Sequence, residues 1–195
     1  LFRAVDLVPG RVVSDTRRSL SGAAKLGFDE TSFSMQFSFN KKDASELEML
    51  IARRRAGKPR DSQAVPGSAK LVIDNPTLTE AGRLGGYYYA LYVNMPAVLD
   101  SNKAHDMSFL GTLGAFQIAS ASHHGPARLE FDIADLLVKQ QFADPANIEL
   151  SWVRVDGDTP PRGRTINVQE ARVELSYEAE PVEPPRLKGR PGFYA

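Results

Sequence analysis

Residues 33–39 read Phe-Ser-Met-Gln-Phe-Ser-Phe, and their alternation decides the class of fold. Phe33, Met35, Phe37 and Phe39 fall on one face of an extended chain, and Ser34, Gln36 and Ser38 on the other. That is the period-two signature of a half-buried strand. The same rhythm returns at 127–133, where Leu129, Phe131 and Ile133 point one way and Arg128, Glu130 and Asp132 the other. Working outward, Ala69 to Asp74 reads as a strand. Tyr87 to Asn94 reads as a central strand, because it is apolar on both faces. Ser108 to Ala119 reads as one apolar segment whose Gly111 and Gly114 predict a bulge or a close backbone approach. Asn147 to Val155 and Ile166 to Tyr177 complete the series, joined by a loop with Gly157, Pro160, Pro161 and Gly163.

Two short helices interrupt the strands. In the first, Asp43 is the expected N-cap with Glu46 three residues on. Ala44, Leu47, Leu50 and Ile51 make its apolar face, Arg53, Arg54 and Arg55 lie at its end as a solvated cationic turn, and Gly57 and Pro59 close it. The second runs from Ala134 to Phe142. The pattern predicts a mostly β chain, an antiparallel β-sandwich with one or two short helices. By composition it divides into a connecting segment 1–68 with a strand and a helix, a sandwich 69–178, and a Pro-rich tail 179–195. Residues 57–68 have the composition of a loop.

The chain has 195 residues, 42% of them hydrophobic, enough for a sizeable core. Lys+Arg and Asp+Glu are both 24, so the net charge is zero and the basic excess that favours nucleic acid is missing. No stretch approaches the roughly 20 apolar residues of a membrane span. With no cysteine there is no disulfide framework and no thiolate site. Asn75-Pro76-Thr77 carries the proline that blocks glycosylation. The chain opens on Leu1 without a signal-like apolar run, and is expected to be a processed or trimmed piece of something longer.

The inventory of reactive groups predicts no catalytic site. His105, His123 and His124 are the only histidines. They are too few for a coupled copper pair, and fewer than a catalytic zinc usually needs once two are adjacent in a loop. Glu130 and Asp132 could serve a hydrolase, but read as the solvent side of a strand. Tyr87, Tyr88, Tyr89 and Tyr92 could form a stacking platform, but sit in a strand expected to be buried.

From residue 69 onward the order of segments resembles a known family. Lys70-Leu71-Val72-Ile73-Asp74, a loop, and Tyr88-Tyr89-Ala90-Leu91-Tyr92-Val93-Asn94 are similar to the Lys-Phe-Asp-Val strand of plant polyphenol oxidases, which also ends in Val-Asn. Here Tyr89-Ala90-Leu91 stands where Lys-Phe-Asp would be. Phe109-Leu110-Gly111-Thr112-Leu113 resembles that family's Phe-Ala-Gly-Ser-Phe. His123-His124 and the run from Arg128 to Leu137 resemble its basic loop and Leu-Arg-Leu-Gly-Ile-Thr-Asp-Leu-Leu element. Asn147 to Arg154 and Val168 to Leu175 resemble its last two strands.

The resemblance, over residues 69–177, is to the C-terminal domain of polyphenol oxidases and tyrosinases, the type-3 copper family. It implies a non-catalytic β-sandwich that covers the di-copper pocket of a catalytic core and is removed or displaced on activation. The two copper ions and the phenol chemistry would belong to that core, the implied partner, and none to this chain. The fungal Cys-x-x-Cys copper-delivery motif is missing here. A plug for the pocket is expected in segment 95–110, with Met95, Leu99, Phe109 and Leu110 as candidates. The alternative is a free-standing β-sandwich module that binds carbohydrate or protein through the tyrosine cluster.

Overall fold

The computed structural model describes residues 7–9, 12–14, 17–58, 65–95, 106–122, 125–141 and 144–177. The tail 179–195, residues 59–64 of the 57–68 loop, all three histidines and Leu99 lie outside the described residues. Among the described residues, eleven strands form two antiparallel sheets. They are β1 (Leu7–Pro9), β2 (Val12–Ser14), β3 (Arg17–Phe28), β4 (Phe33–Ser38), β5 (Ser68–Asp74), β6 (Thr77–Leu78), β7 (Tyr87–Val93), β8 (Phe109–Gly114), β9 (Arg128–Asp132), β10 (Asn147–Asp156) and β11 (Ile166–Ser176). The first sheet runs β1-β3-β11-β5-β9, with β2 beside β3 and β6 beside β11; the second runs β4-β10-β7-β8. The sheets are not closed into a barrel, and the architecture is the expected β-sandwich.

Alternation builds the core. Phe37 and Met35 of β4, Leu150 and Trp152 of β10, Tyr89 and Leu91 of β7, and Leu113 of β8 point inward from the second sheet. From the first sheet Phe28, Leu71, Ile73, Ala171 and Val173 meet them. Trp152 sits edge-on to Phe28 at 5.1 Å and stacked on Phe33 at 5.9 Å. The tie between the sheets therefore comes from both ends of the chain. Residues 17–38, expected to belong to a connecting segment, supply one long strand to each sheet's pairing: β3 against β11 and β4 against β10.

Three α-helices are described: α1 (Lys41–Arg55), α2 (Ala115–Ala121) and α3 (Ala134–Lys139), with a 3-10 turn at Ala81–Leu84. Helix α1 buries Leu47, Leu50 and Ile51 and lies against α3. Its N-cap is Asn40 and not Asp43. The Asn40 Oδ1 accepts from the Asp43 N–H at 3.0 Å, and the Asn40 amide donates back to the Asp43 carboxylate at 2.9 Å. The capping logic expected of Asp43 and Glu46 thus operates three residues earlier. Arg53 and Arg54 are not merely solvated: both donate to the Gly67 carbonyl, and Arg54 also bonds Asp135 at 2.6 Å.

Segment 108–119 also departs from expectation. Only 109–114 is strand, and residues 115–121 are helix. Alternation ends at Gly114, and Ala115, Ile118 and Ala121 then recur at helical spacing. The predicted close approach is present: a Cβ on Gly111 would lie 2.8 Å from the Phe131 ring, and the β7–β8 register shifts between Leu91 and Tyr92.

The outer face of the first sheet closes over itself by charge pairing. Arg172 donates to Glu174 at 2.6 Å, to Glu170 at 2.9 Å and to Asp74. Arg128 reaches Glu174 at 3.0 Å and Glu130 at 2.8 Å, and Lys70 reaches Glu130 at 2.8 Å. The Arg172 and Glu174 side chains are each only 2% exposed. Gly22 lies opposite Arg172 in the register, where a Cβ would sit 2.7 Å from the arginine's own Cβ.

Candidate functional site

The outer face of the second sheet has a different chemistry. Tyr87, Tyr89, Leu91 and Val93 are turned inward, so Tyr88, Ala90 and Tyr92 must face out. Beside them the register sets Val155 opposite Tyr88, Val153 opposite Ala90 and Ser151 opposite Tyr92. On the other flank come Gly114, Thr112 and Phe109. None of these residues carries a charge. The Tyr92 and Phe109 rings meet edge-on at 5.7 Å, and Tyr88 stands exposed.

The face ends in a protruding apolar rim. Phe116, in the first turn of α2, is 80% exposed, and Leu84, closing the 3-10 turn, is 81% exposed. Phe116 separates two open clefts. One, of about 420 Å³, lies between Tyr88, Thr112, Gln117 and the Gly85-Gly86 backbone. The other, of about 610 Å³, is lined by Thr77, Leu78, Arg83, Ile118 and Ser122. Gly85 and Gly86 have φ of +69° and +75°, a conformation that costs glycine little and lets the chain reverse into β7. The Gln117 amide donates to Thr112 Oγ1 at 3.0 Å and fixes α2 against β8.

Beneath this end of the sheet lies a buried polar cluster. Arg154 is packed over the Tyr87 ring, 4.1 Å from its centroid, and its Nη1 donates to Tyr89 Oη at 3.0 Å. The Tyr89 hydroxyl donates to the Asp29 carbonyl, and Arg154 Nε is held by Asp156 at 2.5 Å. Burial raises the pKa of both phenols, against the opposing pull of Thr165 on each. Arg154 is satisfied within the fold. The cluster anchors β7 to β10 and to the Asp29 turn, and so holds Tyr88 on a stiff base.

The expected site residues are dispersed. Met95 is half-buried just after β7; Phe109 is half-buried against Tyr92; Leu110 is half-buried and packs on the core. The tyrosine cluster divides by parity, with Tyr87 and Tyr89 in the core and Tyr88 and Tyr92 on the outer face. Glu130 is paired with Lys70 and Arg128, and Asp132 with Arg54 at 3.4 Å, so neither lines a cleft as a hydrolase would require. Among the described residues no group of three His, Cys, Asp or Glu is placed to hold a metal, and none of the helices is long and apolar enough to cross a membrane. Sequence reading missed Phe116, because it ran the strand through residue 119. The signal that finds it is the change of period after Gly114.

No family model and no curated protein matches the sequence. The fold is similar to that of latent aurone synthase, a polyphenol oxidase, at 13% identity over 79% of this chain and 26% of that one, with a TM-score of 0.45. It is similar also to latent apple tyrosinase, at 14% identity over 78% of this chain and 27% of that one, with a TM-score of 0.41. The chain spans about a quarter of the length of these structures.

Proposed function

We propose that this chain is the shielding or maturation domain of an enzyme of the tyrosinase and polyphenol oxidase type. In this reading it docks by the outer face of its second sheet over the di-copper pocket of a catalytic core. The observation that supports it is Phe116, held out in water at the rim of the apolar end of that face and sharing a cleft with Tyr88. Fully burying such a ring against a partner contributes about 1.5–3 kcal/mol. Tethering to the core in one chain would keep even a modest interface occupied. The mechanism is steric: an apolar side chain stands where a phenol would enter.

In this reading the chain is not itself the catalyst; among the described residues no group of three His, Cys, Asp or Glu is placed to hold a metal. Oxidation of phenols by O₂ would belong to the core and its two copper ions. Met95, Leu99, Phe109 and Leu110 remain the plug candidates of segment 95–110; Phe109 shares the docking face, and Phe116 reaches farther from the fold. A second reading, a free-standing module for carbohydrate, draws support from the exposed Tyr88 ring. The edge-on Tyr92–Phe109 pair offers it no flat platform beyond that ring.

The test is diphenol oxidase activity of the full-length parent before and after limited proteolysis upstream of this chain. A large rise as the fragment is released supports shielding. Unchanged activity, or a parent with no copper core, removes the proposal.

A further inference from the structure

The cleft of about 610 Å³ beside Phe116 holds one charge and no opposite one. Leu78 of β6, Ile118 of α2 and the exposed Phe116 give it apolar walls, and Thr77 and Ser122 add hydroxyls. Arg83, on the 3-10 turn, is the only charged residue that lines it. Glu80, three residues earlier, is exposed but lines neither cleft. Elsewhere Arg53 and Arg54 donate to backbone carbonyls, and Arg128, Arg154 and Arg172 to carboxylates. The Arg83 guanidinium is exposed and has no hydrogen-bonding or ionic partner among the described residues.

The turn that carries Arg83 is fixed to the sandwich. Thr79 Oγ1 donates to the Arg164 carbonyl at 2.7 Å and accepts from the Gly82 N–H at 3.1 Å. The Tyr87 hydroxyl donates to the Gly82 carbonyl at 3.2 Å, and the Arg83 N–H donates to the Thr79 carbonyl at 3.2 Å. Gly82 is pressed so closely on Thr165 that a Cβ there would collide with the Thr165 carbonyl oxygen. The base of the Arg83 side chain is therefore in place before a partner arrives, which lowers the ordering cost of binding.

The charge decides what can cover this cleft. A purely apolar partner would strip water from Arg83 without replacing it, and a basic partner would repel it. A carboxylate gains from the apolar walls, because covering them weakens the screening by water. We propose that the cleft extends the docking face past Phe116 and takes an acidic side chain of the catalytic core. Its carboxylate pairs with Arg83, while an apolar neighbour on the same segment lies against Leu78, Ile118 and Phe116. The inference rests on the shielding reading above and adds the chemistry of the partner surface.

The test uses the full-length parent, whose residual diphenol oxidase activity before cleavage reports the undocked fraction. Arg83→Gln is expected to raise it about fivefold, the scale of one partly exposed ion pair, and Glu80→Gln to lower it. Opposite signs are not what damage to the turn would give, since both residues are exposed. Added salt should raise the residual activity of the wild type more than that of Arg83→Gln. Arg83→Lys keeps the charge and offers an amine to a zero-length carbodiimide. Mass spectrometry is then expected to find residue 83 joined to an Asp or Glu of the core. Equal residual activity in wild type, Arg83→Gln and Glu80→Gln, or no cross-link from residue 83, would overturn this contact while cleavage that still activates leaves shielding standing. Cleavage that activates none of these proteins removes shielding and the contact together.

Discussion

The two outer faces of the sandwich solve the same problem in opposite ways. On the first sheet Arg172, Glu174, Asp74, Glu170, Arg128, Glu130 and Lys70 satisfy one another. On the second, Tyr88, Ala90, Tyr92, Val153 and Val155 carry no charge, and the edge of that face holds the exposed Phe116 and Leu84. A face whose charges are already paired gains little from a partner. A face of apolar groups left in water gains from every group a partner covers. In the shielding reading proposed above, the difference leaves structure to one side and recognition to the other.

The largest expected effect lies on the paired face. Arg172→Ala takes from Glu174 and Asp74 their nearest cation, leaving Arg128 alone beside both, and should cost about 3–5 kcal/mol, read as a fall in the urea midpoint. A loss below about 1 kcal/mol would mean that the ladder is ornamental and the contrast between the faces false. Replacing Arg172 and Glu174 together with Met and Leu should recover much of the loss, since a buried ion pair is often matched by apolar residues of like volume.

A smaller effect is expected beneath the second sheet. Tyr89→Phe removes a phenol that bonds Asp29 and Arg154, and should cost about 1 kcal/mol at pH 9. The phenols of Tyr87 and Tyr89 have raised pKa values because burial disfavours the phenolate. Their contribution to stability is therefore complete below the free tyrosine value of 10.0, and is lost as pH rises through their higher folded-state values. Wild-type stability should fall above pH 10, and that of Tyr89→Phe should fall less steeply. Equal slopes in the two proteins would detach Tyr89 from the alkaline loss.

How much of this was legible in sequence depends on what each residue's neighbours impose. Alternation at 33–39 and 127–133 gave both strands and their inward sides, because one face of each meets the core. Strand β3 was not legible: Arg17–Phe28 reads Arg-Arg-Ser-Leu-Ser-Gly-Ala-Ala-Lys-Leu-Gly-Phe, and the shift between Val173 and Glu174, with Lys25 at φ +56°, breaks any simple period. The parity of the tyrosines could be read from 87–93 alone, yet which parity faced outward depended on Trp152 and Phe28 in distant strands. The ladder was hidden for the same reason, since Asp74, Arg128 and Arg172 meet only once three strands pair. Phe116 escaped because a helix of seven residues following a strand looks like more strand.

The smallest effect on stability should be paired with the clearest effect on function. Phe116→Ser in the isolated chain should change stability by no more than about 0.5 kcal/mol, since an exposed ring contributes little to folding. The measurement that bears most directly on the central claim is inhibition in trans. The proteolysed catalytic core of the parent would be assayed for diphenol oxidation as the wild-type chain or its Phe116→Ser variant is added. Inhibition by the wild-type chain, weakened about tenfold or more by Phe116→Ser, is the predicted result, the scale expected when a central aromatic anchor is lost. Equal inhibition by both chains, or none by either, would contradict a shielding face centred on Phe116.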